Sequence, residues 1–113
     1  MIRIVTESMS DFTQEEAKAA DLIVMPLPIR FGMEEYWDDG VSLTQDDFYA
    51  RLRVAKELPK TSQVPVEHYR KCFNRLLENP EDEVLVITGS SKLSGCYQSA
   101  CIAREACHDP ARV

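Results

Sequence analysis

Hydroxyl side chains are concentrated in two short segments of the chain, and both segments lead into a predicted helix. Residues 88–95 read Thr-Gly-Ser-Ser-Lys-Leu-Ser-Gly, and Thr61-Ser62-Gln63 stands just before Pro65. The amino end of a helix carries unpaired N–H groups and the positive end of the helix dipole, so hydroxyls and glycine placed there suit a carboxylate or a phosphate. The two segments therefore predict an anion-binding site.

The segment 88–95 is also compatible with a structural role or an enzymatic role. Serine and threonine in loops commonly serve as helix caps and turn formers, which is a purely structural role. A phosphate-binding P-loop needs glycine at position 94, where Ser94 stands, and a nucleophile elbow needs glycine at position 93, where Leu93 stands. No His or Asp is tied to these serines by spacing, so a small serine-loop hydrolase or phosphotransferase is the disfavoured alternative. No catalytic residue is predicted.

Composition limits the partners of this chain. Its 113 residues are enough for one domain with a single core. Nineteen acidic and thirteen basic residues give a net charge of −6, which argues against a nucleic-acid partner. The sequence has no run of about 18 apolar residues and no charged-then-apolar leader at Met1, so we expect neither a membrane span nor a secretory signal. We therefore expect a cytoplasmic protein.

The cysteines lack the paired spacing of a zinc site. In a cytoplasmic protein they are most simply reduced thiols that contribute to packing. His68 and Cys72 stand four residues apart on a predicted helix, and Cys107 and His108 are adjacent, so a site for a soft metal can be imagined. Because these ligands are scattered, we predict no metal and no cofactor.

The elements that must position the hydroxyls alternate between strand and helix. Apolar runs predict strands, and capping residues with apolar periodicity predict helices, at the following positions. The strands are residues 2–5, 22–25 and 84–87, and the helices are about 13–20, 44–55, 65–77 and 94–107. Such alternation predicts an α/β three-layer sandwich around a mostly parallel sheet. Ligands of such sheets bind beyond the carboxyl ends of the strands, where the segments starting at Thr6 and Thr88 can converge.

Three local features complete this prediction. Pro26 and Pro28 indicate an edge or a bend, and Asp39-Gly40 indicates the turn of a hairpin-like excursion. Tyr97, Ala100 and Cys101 are the residues expected on the inner face of the last helix.

Several motifs resemble the DegV family of bacterial fatty-acid-binding proteins. They are Thr61-Ser62-Gln63 before a helix containing proline, the segment 90–100 that reads SSKLSGCYQSA, the opening 4–8 that reads IVTES, and the segment 26–32 that reads PLPIRFG. The likeness covers all 113 residues. Glu7 and Met9 stand where the family usually has Asp and Thr, and Cys96 replaces the usual Thr.

The resemblance implies a function and a site. Family members are two-domain α/β proteins that enclose one long-chain fatty acid and present it to a fatty-acid kinase, and they are not themselves enzymes. Carried onto this sequence, the donors to the fatty-acid carboxylate are Thr61 and Ser94, with Ser62 and the Gly95 backbone as neighbours. Residues 1–113 resemble the N-terminal domain, and the second domain is expected to be absent. The alternative is a truncated fragment without a ligand-binding function of its own.

Overall fold

The computed structural model describes all 113 residues as an α/β fold with two small sheets. The strands are β1 (Ile2–Glu7), β2 (Leu22–Met25), β3 (Pro28–Phe31), β4 (Glu34–Trp37), β5 (Lys60–Thr61) and β6 (Glu83–Ile87). The helices are α1 (Gln14–Ala19), α2 (Gln45–Val54), α3 (Val66–Leu76) and α4 (Cys96–Glu105). Two 3₁₀ turns, Ser8–Ser10 and Pro110–Arg112, complete the chain. The predicted α/β class is confirmed.

The first sheet is parallel and has the strand order β2-β1-β6. Its register places Val5 beside Ile23 on one side and beside Val86 on the other. The carboxyl ends of β1 and β6 therefore meet at one edge of the sheet, as the sequence predicts. The loop that follows β6 begins at that edge.

The second sheet is antiparallel, with the order β4-β3-β5, and was not predicted. Pro28 begins β3, so the prolines mark the passage from one sheet to the other. The hairpin between β3 and β4 turns at Gly32, whose φ is +60°, and not at the predicted Asp39-Gly40, which follows β4. Gly32 and Gly40 both have positive φ, so each could have supplied the backbone angle of a hairpin turn. The pairing of β3 with β4 places the turn at Gly32.

Side-chain oxygens cap two helices at the predicted helix starts, Thr13 and Thr44. The hydroxyl of Thr13 accepts the N–H of Glu16, whose carboxylate in turn accepts the N–H of Thr13, so α1 begins in a capping box. The hydroxyl of Thr44 accepts the N–H of Asp47 at the start of α2. Each cap satisfies backbone donors that would otherwise lack a partner at the helix start.

The core lies between one face of the parallel sheet and the pair α3 and α4, which pack against each other. Tyr69 and Phe73 of α3 are fully buried there, together with Val5 of β1 and Ala103 of α4. On the opposite face of the sheet Leu85 and Ile87 are about half exposed, at 49% and 53%. The helices of the structure are all too short and too polar to cross a membrane.

The inner face of α4 differs from the prediction. The side chains that face the core are Cys96, Ser99, Ala100 and Ala103, which follow helical spacing. Ala100 is buried as expected, whereas Tyr97 and Cys101 are exposed. Successive residues of a helix are about 100° apart, so choosing Tyr97 in place of Cys96 rotates the predicted face onto the solvent side.

Candidate functional site

The loop between β6 and α4 is folded by Ser90. The carbonyl oxygen of Ser90 accepts the N–H groups of Leu93 at 2.9 Å and Ser94 at 3.0 Å. Its hydroxyl oxygen accepts the N–H of Lys92 at 3.2 Å. Ser90 therefore has the turn-forming role that loop serines commonly have, and it delivers Ser94 to the start of α4.

Ser94 presents a hydroxyl at the amino end of α4. Its Oγ accepts the N–H of Cys96 at 3.2 Å, and the residue is half-buried. A hydroxyl that accepts through its oxygen keeps its own proton available to donate. The N–H groups of Gly95, Tyr97 and Gln98 have no acceptor within the protein. Four donors thus stand at one helix start, where the helix dipole favours an anion.

The segment 61–63 reaches the same place from the second sheet. Thr61 is paired with Ile29 in β5, and the N–H of Ser62 donates to the carbonyl oxygen of Pro28 at 3.3 Å. The backbone is fixed in this way, while the hydroxyls of Thr61 and Ser62 are exposed and have no partner in the protein. Both hydroxyls are free to bind a ligand.

Two contacts join this segment to the start of α4. The carboxamide of Gln63 covers the α-carbon of Gly95. The N–H of Val64 donates to Sγ of the buried Cys96 at 3.5 Å. The two predicted donor segments are therefore neighbours. Simultaneous contact of the Thr61 and Ser94 hydroxyls with one ligand stays a prediction.

An open groove of about 580 Å³ runs from this helix start along the outer side of α4. It is lined by Ser91, Lys92, Leu93, Ser94, Gly95, Tyr97, Gln98 and Cys101. Of the predicted site residues, Ser94 and Gly95 line the groove, whereas Thr61 and Ser62 do not. The hydrogen bond with the Cys101 thiol beside it raises the pKa of the Tyr97 hydroxyl above its ordinary value.

The groove combines donors at one end with apolar surface along its length. The ring of Tyr97 and the side chain of Leu93 are exposed on its wall, and Lys92 adds a positive charge. Chemically, this arrangement suits a molecule with an acid head and an apolar body.

The same geometry offers little to a serine nucleophile or a metal. None of the hydroxyls of Ser90, Ser91 and Ser94 is hydrogen-bonded to a histidine or a carboxylate, which an activated serine requires. The ring of His68 packs against Trp37 at a tilt of 38°, with centroids 5.1 Å apart, while Cys72 is buried in the core. No group of three or more His, Cys, Asp and Glu side chains is placed to hold a metal ion.

One buried polar residue, Glu7, was not predicted from the sequence. It stands at the end of β1 and is 2% exposed, and its Oε1 accepts the N–H of Gly89 at 2.7 Å. The alternation of side chains along β1 could have predicted this burial, because residue 7 lies on the same face of the strand as Val5, which points into the core.

Comparison with known proteins shows which family this chain matches. The whole chain, residues 1–113, matches the family described as "Uncharacterised protein, DegV family". It is 41% identical to a DegV domain-containing protein of Halalkalibacterium halodurans over 102 residues, which are 90% of this chain and 36% of that protein. It is 36% identical over 109 residues to a fatty acid-binding protein of Thermotoga maritima, again covering 90% and 36% of the two chains.

A solved structure agrees with the fold. A stearic acid-binding protein from Eubacterium ventriosum superposes with a TM-score of 0.85 at 34% identity, covering 94% of this chain and 36% of that one. The chain thus spans little more than a third of the length of the relatives that it matches.

Proposed function

This chain belongs to the DegV family, and we propose that it is a lipid-binding module that holds a long-chain fatty acid by its carboxylate. In this proposal Thr61 and Ser94 donate their hydroxyl protons to the carboxylate, and Ser62 and the Gly95 backbone stand beside them. The module binds and does not catalyse.

The observation that carries the proposal is the set of free donors at the amino end of α4. The hydroxyl of Ser94 and three unpaired backbone N–H groups belong to residues that line one groove. Neutral donors at a helix start can hold a carboxylate without a buried lysine or arginine. Two of the relatives described above are named for binding a fatty acid, which supports this choice of anion.

The head and the tail of the ligand contribute differently to its affinity. About fourteen buried methylenes at roughly 0.8 kcal/mol each supply on the order of 11 kcal/mol before the costs of association. Each hydrogen bond to the charged head adds about 1.5 to 3 kcal/mol. We therefore expect the tail to dominate affinity and the hydroxyls to fix the orientation and position of the head.

The rest of the proposal follows from the family resemblance. Residues 1–113 would correspond to the N-terminal domain of a DegV protein, and the bound carboxylate would be presented to a fatty-acid kinase that phosphorylates it. An open groove leaves the head accessible to such a partner. Since the relatives are almost three times as long, the activity of a whole DegV protein is a proposal for this chain.

Ligand binding can be tested directly on the 113-residue chain. Lipid that copurifies with the protein is identified by native mass spectrometry, and the delipidated protein is titrated with palmitate carrying ¹³C at the carboxyl carbon. We expect bound acyl chain in the purified protein and a carboxyl resonance that shifts and saturates at one equivalent. Absence of both contradicts the proposal.

The alternative of a fragment without ligand function has its own observation in its favour. Leu85 and Ile87 leave one face of the parallel sheet partly uncovered, and β6 is an edge strand. Uncovered strands promote self-association. Sedimentation of the delipidated chain separates the two possibilities, because the alternative predicts association without any palmitate binding.

A further inference from the structure

Glu7 is a buried carboxylate without a basic partner. No lysine, arginine or histidine forms an ion pair with it. Its Oε1 accepts the N–H of Gly89 at 2.7 Å, and its Oε2 accepts the hydroxyl of Tyr69 at 3.4 Å. Burying such a group is costly unless its oxygens are hydrogen-bonded, so these two contacts account for how it is tolerated.

The contacts of Glu7 lead to both donor segments. Gly89 stands near the start of the loop that ends in Ser94. Tyr69 lies beside Cys96 as well as Glu7, and burial together with these two neighbours raises the pKa of its hydroxyl. Cys96 accepts the N–H of Val64, which follows Thr61-Ser62-Gln63 in the chain. A buried polar path therefore joins Gly89 to Val64 through three side chains.

We propose that Glu7 is a positioning residue that holds the loop 88–95 against the segment 61–64 so that their hydroxyls face one ligand head. This inference rests on the proposed function. Glu7 acts through the backbone of Gly89 and does not touch the ligand. The Glu7 carboxylate holds the amino end of the loop through Gly89, while the hydrogen bond from Cys96 to Ser94 holds the other end at α4.

A matched pair of substitutions isolates the hydrogen bond. Glu7→Gln keeps a carbonyl oxygen that can accept the N–H of Gly89, whereas Glu7→Met has a similar size and offers no comparable acceptor. The two variants therefore differ mainly in whether residue 7 can hydrogen-bond Gly89 and Tyr69. Arg112→Ala serves as a control for general destabilisation. The guanidinium of Arg112 donates hydrogen bonds to the carbonyl oxygens of Leu77, Asn79 and Asp82, and none of these residues belongs to the loop 88–95 or the segment 61–64.

The experiment measures amide hydrogen exchange of residues 89–96 in the ligand-free 113-residue chain, and the dissociation constant for ¹³C-carboxyl palmitate. We expect Glu7→Met to raise both the exchange rate at Gly89 and the dissociation constant by about tenfold, since a charge-assisted hydrogen bond is lost. We expect Glu7→Gln to stay within about threefold of the parent chain in both, because a neutral hydrogen bond replaces it.

The outcomes are separable. If the parent chain binds no palmitate, the proposed function fails, and the exchange rates alone decide whether Glu7 orders the loop. If the parent binds and Glu7→Met changes neither quantity, or changes them no more than Arg112→Ala does, the positioning role is overturned. If Glu7→Met does not fold, Tyr69→Phe replaces it: we expect about threefold faster exchange at Gly89 from the loss of one hydrogen bond, and an unchanged rate overturns the inference.

Discussion

The carboxamide oxygen of Gln63 lies 2.5 Å from the point that a Cβ on residue 95 would occupy. Gly95 has a φ of −77°, which any residue can adopt, so the backbone does not require glycine at this position. The requirement is space, because Gln63 covers the α-carbon where the segment 61–64 meets α4. This contact joins the two segments that carry the predicted donors.

Gly95→Ala should therefore weaken ligand binding with little effect on the fold. The added methyl displaces the end of the exposed, flexible side chain of Gln63, which costs little stability but removes the contact that joins the segment 61–64 to the helix start. Adding Gln63→Ala should restore part of the affinity, because it removes the atoms that clash. Palmitate titrations of the single and double variants measure the coupling. Strictly additive effects would show that the contact does not matter for binding.

Removing the two predicted donor hydroxyls should reduce affinity more than stability. We expect Thr61→Val and Ser94→Ala each to raise the palmitate dissociation constant by about tenfold, from the loss of one hydrogen bond to a charged group. Ser94→Ala should also cost about 1 kcal/mol of stability, because Ser94 Oγ accepts the N–H of Cys96 at the start of α4. Circular dichroism and denaturant titration separate the two effects.

Ser10→Ala is a suitable control for those variants. Ser10 is exposed, and its hydroxyl has no hydrogen bond within the protein. Its loss should leave the dissociation constant unchanged. If Thr61→Val and Ser94→Ala behave like Ser10→Ala, these two hydroxyls are not part of the site.

Most of the local structure could be predicted from the sequence. Capping residues and apolar periodicity place the helix starts near Thr13 and Thr44 and the helix at about 65–77, because these signals act within a few residues. The second sheet was not predicted, since the pairing of Ile29 with Thr61 joins residues that are distant in the sequence. Nothing in either short run specifies the other as its partner.

The site was predicted in outline and incompletely in detail. Hydroxyls next to predicted helix starts identify the loop 88–95 and the segment 61–63. The covering of Gly95 by Gln63 depends on how separate elements dock, and no local pattern reports that. The burial of Glu7 could have been read from the alternation along β1, where residue 7 shares a face with the buried Val5. The groove beside α4 was missed because Tyr97 and Cys101 were assigned to the inner face of that helix.

Arg112 should be important for stability. Its guanidinium donates to the carbonyl oxygens of Leu77, Asn79 and Asp82, which follow α3 and precede β6, and to the carboxylate of Asp109. Arg112→Ala should lower the free energy of unfolding by roughly 1 to 3 kcal/mol, because the partly buried carbonyls lose their donors. Arg112→Lys should recover little of this loss, since an ammonium group cannot reproduce the planar fork of donors. Urea titration measures both, and a loss below about 0.5 kcal/mol for alanine, the range of ordinary surface changes, would contradict the prediction.

The loop after β4 should lose stability in acid. Partial burial raises the pKa of Asp39, but hydrogen bonds from Val41 and Ser42 outweigh burial and hold the pKa below its ordinary value. A lowered folded-state pKa gives stability that is present above the unfolded pKa of about 3.9 and is lost as pH falls through the folded value. The difference in unfolding free energy between the parent chain and Asp39→Asn should therefore be constant above about pH 5 and shrink toward zero in acid. A difference that does not vary with pH would contradict this account.

Thiol labelling can test the groove and the packing of α4 together. Cys72, Cys96 and Cys107 are buried, whereas Cys101 is exposed on the wall of the groove that contains Ser94. We expect one thiol to react rapidly with an aromatic disulfide reagent and three to react only on unfolding, because reaction requires access to the sulfur. Saturating palmitate should slow the rapid reaction if the acyl chain lies along α4. Cys101→Ser should abolish the rapid phase, and a rapid phase that persists in this variant would contradict the packing of the other three cysteines.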